Sequence, residues 1–347
     1  MAVMGHEQVV FHQDPESGLR AIIAVHDTTL GNALGGTRRW CYASEDEALH
    51  DVLRLSEGMT YKAAAAGLAM GGAKSVIMLG VPAEEATPAQ GRAMGRFVES
   101  LGGRYIAAED VGVSEAFCDW MAHETAHVMG GVTVSRGGNP APYTSLGAFN
   151  AMRACLVHAG RPADFAGVRV GIQGLGETGY RLAKMISEHG GSVIGTDVNP
   201  VAIKRAVDTL DIKVLGDDEV LHAQDLDIFA PCALGGCLGE DTIDHLNATI
   251  VCGTANNILV NPEHDGELLK DKSVIYAPDF IANAGGVIRL AGLHLGLTED
   301  EIDVKVAEIE TTTATILKNT ANHASAYATA VAYARERINA KHNVQLA

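Results

Sequence analysis

The stretch Val168-Arg-Val-Gly-Ile-Gln-Gly-Leu-Gly-Glu-Thr-Gly179 sets the fold class of the second half of the chain. An apolar run enters Gly174-x-Gly176-x-x-Gly179. A helix-compatible stretch follows, then a second apolar run, Ser192-Val-Ile-Gly-Thr196, ending on Asp197. Strand, glycine turn, helix, strand and terminal acid in that order make a dinucleotide-binding βαβ unit. Gly174 allows the tight turn, Gly176 lets the backbone approach a pyrophosphate, and Gly179 lets helix and strand pack closely. Leu175, Glu177 and Thr178 fill the positions between, and the helix N-terminus they open favours an anion. Asp197, 21 residues after Gly176, is placed to accept hydrogen bonds from the adenosine ribose. The same charge would repel a 2′-phosphate, which favours NAD over NADP.

Working outward, short strands and helices alternate along the chain, the pattern of an α/β protein. In the first half, 8–12 and 19–25 read as strands around the turn Asp14-Pro-Glu-Ser-Gly18, 45–66 as a helix, 75–79 as a strand, 87–101 as a helix and 104–108 as a strand. The Gly- and Pro-rich Val134-Ser-Arg-Gly-Gly-Asn-Pro-Ala-Pro142 marks a linker or hinge. A helix over 144–158 leads into the nucleotide fold, strands recur at 227–230, 249–252 and 273–276, and the remainder after Pro278 is mostly helical. The expected architecture is two α/β domains with a cleft between them, the second of Rossmann type.

Composition narrows the function. The chain has 347 residues, 47% hydrophobic and 20% charged, enough for two cores, and a formal net charge of −17. Nucleic-acid binding needs clustered Lys and Arg, so no such partner is expected. No run approaches the roughly 20 apolar residues of a membrane span. The N-terminal Met-Ala-Val-Met-Gly-His-Glu-Gln has neither a basic nor a long apolar region, so no signal peptide is expected and the location reads as cytoplasmic. Six scattered cysteines and fourteen histidines show no metal-ligand spacing, and no metal is expected.

Two lysines stand twelve residues apart, in Gly58-Met-Thr-Tyr-Lys62 and Met70-Gly-Gly-Ala-Lys74. Lys62 falls near a helix end, and Lys74 follows what reads as a glycine turn and opens a strand. Spacing alone also fits a snorkelling surface lysine and a plain strand-edge lysine. In Ala107-Ala-Glu-Asp-Val-Gly112, Asp110 follows an apolar strand, where ligands of open α/β sheets bind. It serves equally well as a turn or capping residue before Ser114.

With these segments in view, the chain resembles the amino-acid dehydrogenase family that contains the leucine, valine, phenylalanine and glutamate dehydrogenases. The resemblance lies in His26-Asp-Thr-Thr-Leu-Gly31, Leu34-Gly-Gly-Thr-Arg38, Gly58–Lys62, Gly71-Gly-Ala-Lys74, Ala108–Gly112, Gly174–Gly179, Ala230-Pro-Cys-Ala233, Ala255-Asn-Asn257, Tyr276-Ala-Pro-Asp-Phe280 and Asn283-Ala-Gly-Gly-Val287. It is greatest to the leucine/phenylalanine branch. The resemblance implies a substrate and oligomerisation domain over 1–133, joined by a returning C-terminal helix (322–347), and an NAD-binding domain over 134–321.

It further implies that Lys62 pairs with the substrate α-carboxylate against the backbone of Gly35 and Gly36. Lys74 is then the catalytic lysine, activated by burial and by a second cation such as Lys62, and Asp110 the acid–base aspartate. Asn256 touches substrate, Asn257 and Thr144 lie near the nicotinamide, and Leu34, Ala108, Val287 and Leu290 line an apolar side-chain pocket. The expected reaction is NAD-dependent oxidative deamination of an apolar L-amino acid to its 2-oxo acid and ammonia. Leucine, valine or isoleucine comes first, phenylalanine second, and tryptophan stays open. The expected assembly is a homo-oligomer. Three departures bear on substrate choice: Ala73 replaces the usual third glycine, Ile258 stands where some relatives have glutamine, and Arg289 stands where leucine-type relatives often carry asparagine. A non-catalytic NAD-binding sensor would be expected to have lost a lysine or Asp110, and a hydroxy-acid dehydrogenase would want a His–acid pair; neither pattern is seen.

Overall fold

A computed structural model describes residues 5–82, 84–134, 137–210, 212–216 and 219–346. Of the Gly/Pro-rich 134–142 stretch, Ser135 and Arg136 lie outside the described residues. The chain forms two compact units: Met1–Pro140 with Ile288–Glu301 and Ala334–Ala347, and Ala141–Val287 with Ile302–Tyr333.

The first unit holds strands β1 (Gln8–Asp14), β2 (Leu19–Asp27), β3 (Ala33–Trp40), β4 (Gly71–Met78) and β5 (Tyr105–Glu109). They form one sheet in the order β1-β2-β4-β3-β5. The β1–β2 and β2–β4 pairings are antiparallel, whereas β3 runs parallel to both β4 and β5. Helices α1 (Glu45–Ala65), α2 (Pro88–Glu99) and α3 (Glu115–Ala122) cover its faces.

Side chains alternate across a strand, and the alternation sorts the sheet. Ile22, Ala24 and Val76 pack with Ala48, Val52 and Leu53 of α1. Ile23, Val25, Ala73, Ile77, Tyr105 and Ala107 pack with Met94 and Phe97 of α2 and Phe117 and Met121 of α3. Each such large apolar side chain contributes about 1.5–3 kcal/mol on full burial. Helix starts are capped by side chains: the Ser44, Thr87 and Ser114 oxygens accept from Glu47, Gln90 and Phe117 N–H. The cap of α3 is therefore Ser114, not Asp110.

Two readings of this half change. Gly71 and Gly72 belong to β4 and are not a turn before it. A Cβ on Gly72 would lie 2.1 Å from Thr60 N, so the strand needs glycine because α1 crosses its backbone. Strand β3 and helix α3 add to the elements legible in the sequence.

The second unit opens with α4 (Ala141–His158). It continues through β6 (Arg169–Gln173), α5 (Glu177–Glu188), β7 (Ser192–Thr196), α6 (Pro200–Thr209), β8 (Lys213–Val214), β9 (Leu226–Pro231), α7 (Glu240–Asp244), β10 (Ala248–Val251), α8 (Pro262–Asp271), β11 (Ile275–Tyr276) and α9 (Asp279–Ala282). Helices α10 (Gly285–His294), α11 (Glu299–Asn319) and α12 (Ala326–Leu346) complete the chain. The sheet is parallel, in the order β11-β10-β9-β6-β7-β8. Its crossover reverses between β6 and β9, which is the ligand-binding switch point of a doubly wound sheet.

The last segment of the first unit is tied to α1. Arg335 donates to Tyr61 Oη at 2.8 and 3.2 Å, and Arg337 donates to the Ala64 carbonyl at 2.6 Å. Among the described residues no helix is long and apolar enough to cross a membrane. No group of three or more His, Cys, Asp or Glu among them is placed to hold a metal ion.

Candidate active site

The α1-facing side of the first sheet brings charges together that are scattered in sequence. By alternation Leu34, Gly36 and Arg38 of β3, Gly72 and Lys74 of β4, and Ala108 of β5 share that face. Asp110 follows β5 directly. Lys74 Nζ lies 2.7 Å from Asp110 Oδ2, with side-chain exposures of 7% and 15%. Gly36 makes the space for this pair: a Cβ there would stand 2.8 Å from Asp110 Cβ, 2.8 Å from Glu109 O and 2.9 Å from Lys74 Nζ. Gly35, on the opposite side, would drive a Cβ to 1.7 Å from Ala73 O.

Beneath the pair, β3, β4 and β5 are stitched by buried hydroxyls. Tyr105 Oη donates to Gly35 O at 2.9 Å and lies 2.9 Å from Ser75 Oγ, which donates to Thr37 Oγ1 at 2.9 Å. Burial raises the Tyr105 phenol, so it remains a donor. Ala73 is fully buried in the core on that side, its methyl turned away from the Lys74 face.

Burial lowers the Lys74 pKa; Asp110 opposes the shift and the Arg38 charge adds to it. Burial also pushes Asp110 up, but Lys74 and Arg38 together outweigh it and hold the carboxyl at about 2. The leading cation that acts with burial on Lys74 is Arg38. Burial, with Glu115 and Asp110 nearby, raises Glu109 to about 7.

Arg38 was not singled out from sequence. Its Nε lies 3.3 Å from Asp110 Oδ2 and its Nη1 3.0 Å from Asp51 Oδ2, to which Tyr42 Oη donates at 2.8 Å. The signal was the step of two from Leu34 through Gly36 to Arg38. Lys62 is buried in the last turn of α1. Leu34 and Ala108 are buried on their strands, and Leu290 is buried in α10. Arg289 forms an ion pair with Glu299.

In the second unit the glycine loop sits between β6 and α5. Gly174 has φ +98°, which favours glycine, and a Cβ on Gly179 would lie 1.9 Å from Gly174 O. Gly176 has no heavy atom within 4 Å of a notional Cβ, so the backbone at the start of α5 is open to a close-fitting anion. Leu175 is fully buried. Asp197 braces this loop: Oδ2 accepts from Leu175 N at 2.6 Å and Oδ1 from Asn199 N at 2.8 Å.

Glu177 pairs with Arg205 at 2.8 Å and Arg181 at 3.2 Å, while Thr178 Oγ1 lies 2.8 Å from Thr254 Oγ1. Arg205 also donates to Leu175 O and Gly176 O. Asn256 Oδ1 accepts from Asn283 Nδ2 at 2.8 Å, and Asn257 sits at φ +51°. Thr144 lies in the first turns of α4 and Val287 near the start of α10. Of the predicted residues in the first unit, Lys74 and Asp110 are in direct contact; in the second, Asp197 is bonded to the glycine loop through Leu175 N.

A family model described as Glu/Leu/Phe/Val dehydrogenase, dimerisation domain, matches residues 6–127. A second, Glutamate/Leucine/Phenylalanine/Valine dehydrogenase, matches residues 199–345. Leucine dehydrogenase of Geobacillus stearothermophilus is 44% identical over 310 residues, 89% of this chain and 84% of that protein. Valine dehydrogenase of Streptomyces virginiae is 44% identical over 315 residues, 90% of this chain and 87% of that protein. The crystal structure of L-tryptophan dehydrogenase from Nostoc punctiforme superposes with a TM-score of 0.82 at 38% identity, covering 99% of this chain and 98% of that one. The chain belongs to the glutamate/leucine/phenylalanine/valine dehydrogenase family.

Proposed function

We propose that the protein catalyses the NAD-dependent oxidative deamination of an apolar L-amino acid, of the leucine, valine or isoleucine type, to its 2-oxo acid and ammonia, and the reverse amination. The observation that carries this reading is the buried Lys74–Asp110 pair over the bare face of Gly36. Gly174, Gly176, Gly179 and the α5 N-terminus suit a pyrophosphate, and Asp197 suits an unphosphorylated ribose; Thr144 and Asn257 would hold the nicotinamide end. Bound NAD would supply the hydride acceptor for the substrate Cα.

The chain's own residues supply position and proton transfer. Lys62 holds the substrate α-carboxylate against the backbone of Gly35 and Gly36. Lys74, its pKa lowered by burial and Arg38, takes a proton from the water that adds at Cα. Asp110, kept ionised, exchanges protons with Lys74 and with the departing nitrogen. Leu34, Ala108 and Leu290 are themselves apolar and carry no charge to pair with a second carboxylate, and burying one unpaired is costly. This disfavours glutamate. Phenylalanine differs from leucine by apolar bulk and ranks behind it; tryptophan adds an indole N–H that needs a partner when buried and ranks last. A homo-oligomer is proposed on the strength of the dimerisation-domain match.

The test is NADH oxidation with 2-oxoisocaproate, with and without ammonium, followed by a panel of L-amino acids with NAD ranked by kcat/KM. Ammonium-dependent oxidation with apolar side chains preferred is expected. Oxidation that proceeds equally without ammonium would overturn the reading.

A further inference from the structure

Around Lys74 and Asp110 the structure places a second ring of charge. Arg38 comes from β3, Tyr42 from the segment after it, and Asp51 and Arg54 from α1, which carries Lys62 in its last turn; Tyr105 and, by alternation, Glu109 of β5 belong to the other face of the sheet. Within this ring a continuous chain runs from Tyr42 Oη to Asp51, from Asp51 to Arg38, from Arg38 to Asp110 and from Asp110 to Lys74, with steps of 2.8, 3.0, 3.3 and 2.7 Å. Arg38 and Asp51 are mostly buried, with side-chain exposures of 19% and 14%. Burial and the Asp51 charge raise the Tyr42 phenol, so it stays protonated and donates to Asp51. Turning Arg38 away would give up its ion pairs with Asp51 and Asp110 together, so the buried guanidinium is held between them; Arg54 adds a further contact to Asp51 at 3.4 Å.

We propose that Arg38 is a positioning residue for the reaction: clamped by Asp51, it aims the Asp110 carboxylate at Lys74 and tunes proton exchange between them. This rests on the deamination reading for its role in turnover, but the electrostatic brace stands apart from turnover. Its signs are definite. Arg38 disfavours the protonated Lys74 and Asp51 favours it. Removing the two groups one at a time therefore moves Lys74 in opposite directions, which general loosening of the site would not do.

The experiment compares wild type with Arg38→Lys, Arg38→Met, Asp51→Asn and the Arg38→Met/Asp51→Asn double variant. The protonation of Lys74 is read without turnover, from the pH dependence of its labelling by acetic anhydride, followed by peptide mass spectrometry. The lower-pH limb of kcat/KM for deamination is read alongside. In Arg38→Met both midpoints rise by about half a pH unit or more, and in Asp51→Asn they fall. The double variant returns toward wild type, and Arg38→Lys stays closer to wild type than Arg38→Met. Should Arg38→Met fail to fold, Arg38→Lys and Asp51→Asn keep the test open. Coincident midpoints in all folded variants, or shifts of the same sign in Arg38→Met and Asp51→Asn, would overturn the proposal. Opposed labelling shifts in an enzyme that turns over no amino acid with NAD would uphold the brace and overturn the deaminase reading instead.

Discussion

Substituting Gly36 by alanine tests how much of the site depends on one missing methyl group. The added Cβ would meet Asp110 Cβ and Glu109 O at 2.8 Å and Lys74 Nζ at 2.9 Å, well inside the roughly 3.5–4.0 Å optimum for non-bonded carbon contacts. Glu109 O is backbone at the end of β5 and yields little, so the ammonium and carboxylate must give way. Overpacking of this kind costs about 1–3 kcal/mol, small enough for a domain of typical stability, about 5–15 kcal/mol, to remain folded. Parting the 2.7 Å pair by about 1 Å costs roughly 100-fold in rate, about 2.7 kcal/mol of barrier. The expected Gly36→Ala protein is folded by circular dichroism, modestly weakened in urea, and down by about two orders of magnitude in kcat/KM for L-leucine. Gly216→Ala is the control. That position has open space and no positive φ, so stability changes by less than about 1 kcal/mol and turnover is unaltered. A Gly36→Ala enzyme within threefold of wild type would refute the view that the bare strand face sets the geometry of the pair.

Three further outcomes are expected. Gly176→Ala costs roughly 0.5 kcal/mol as a poorer helix cap yet raises KM for NAD severalfold with KM for amino acid little changed, because the methyl enters space open to the pyrophosphate; steady-state kinetics varying each substrate in turn would check this. Asp197→Ser lowers the preference for NAD over NADP by about tenfold or more, as measured by the ratio of kcat/KM values, since a charge that repels a 2′-phosphate is lost; an unchanged ratio would count against Asp197 as the discriminating group. Acid stability gives the third. The Asp110 pKa is depressed to about 2, so its stabilisation is fully present above about pH 4 and is lost as pH falls toward 2. It amounts to about 2 kcal/mol, and urea titrations of wild type and Asp110→Asn from pH 5 downward should show the shallower acid loss in the variant.

What the sequence disclosed follows the range of the forces involved. The fingerprint and the strands β6 and β7 are local apolar patterns, and the parallel sheet around them follows from alternating strands and helices. Strand β3 gave no such signal, because Gly35, Gly36, Thr37, Arg38 and Arg39 carry little apolar character. Its place in the sheet is secured by neighbours far away in sequence: Ala73 O presses against Gly35, and Tyr105 donates to the Gly35 carbonyl. Helix α3 spans only eight residues, too few for a helical period to stand out. The lysines and Asp110 stood out by motif, while Arg38 required knowing that β3 lies between β4 and β5. That order cannot be read from spacing, since β4 follows β3 in the chain by way of the whole of α1.

The glycines explain why both glycine-bearing stretches are so specific in sequence. A side chain at Gly72 would collide with Thr60 of α1, one at Gly35 with the backbone of β4, and one at Gly179 with the turn at Gly174. Those three hold the backbone in place. Gly36 and Gly176 differ: the first is faced by the Lys74 and Asp110 side chains, and the second by nothing within 4 Å. A glycine conserving a packing contact should be lost with stability, and a glycine conserving room for chemistry should be lost with activity at nearly constant stability. Gly35→Ala and Gly36→Ala are adjacent substitutions with opposite side-chain directions. The first should therefore unfold the sheet, because a 1.7 Å approach to Ala73 O leaves no relaxation short of parting β3 from β4, while the second should leave a folded and slow enzyme. Equal losses of stability at the two positions would mean that the α1-facing side of β3 is structural like the other, and the placement of Lys74 and Asp110 would need another cause.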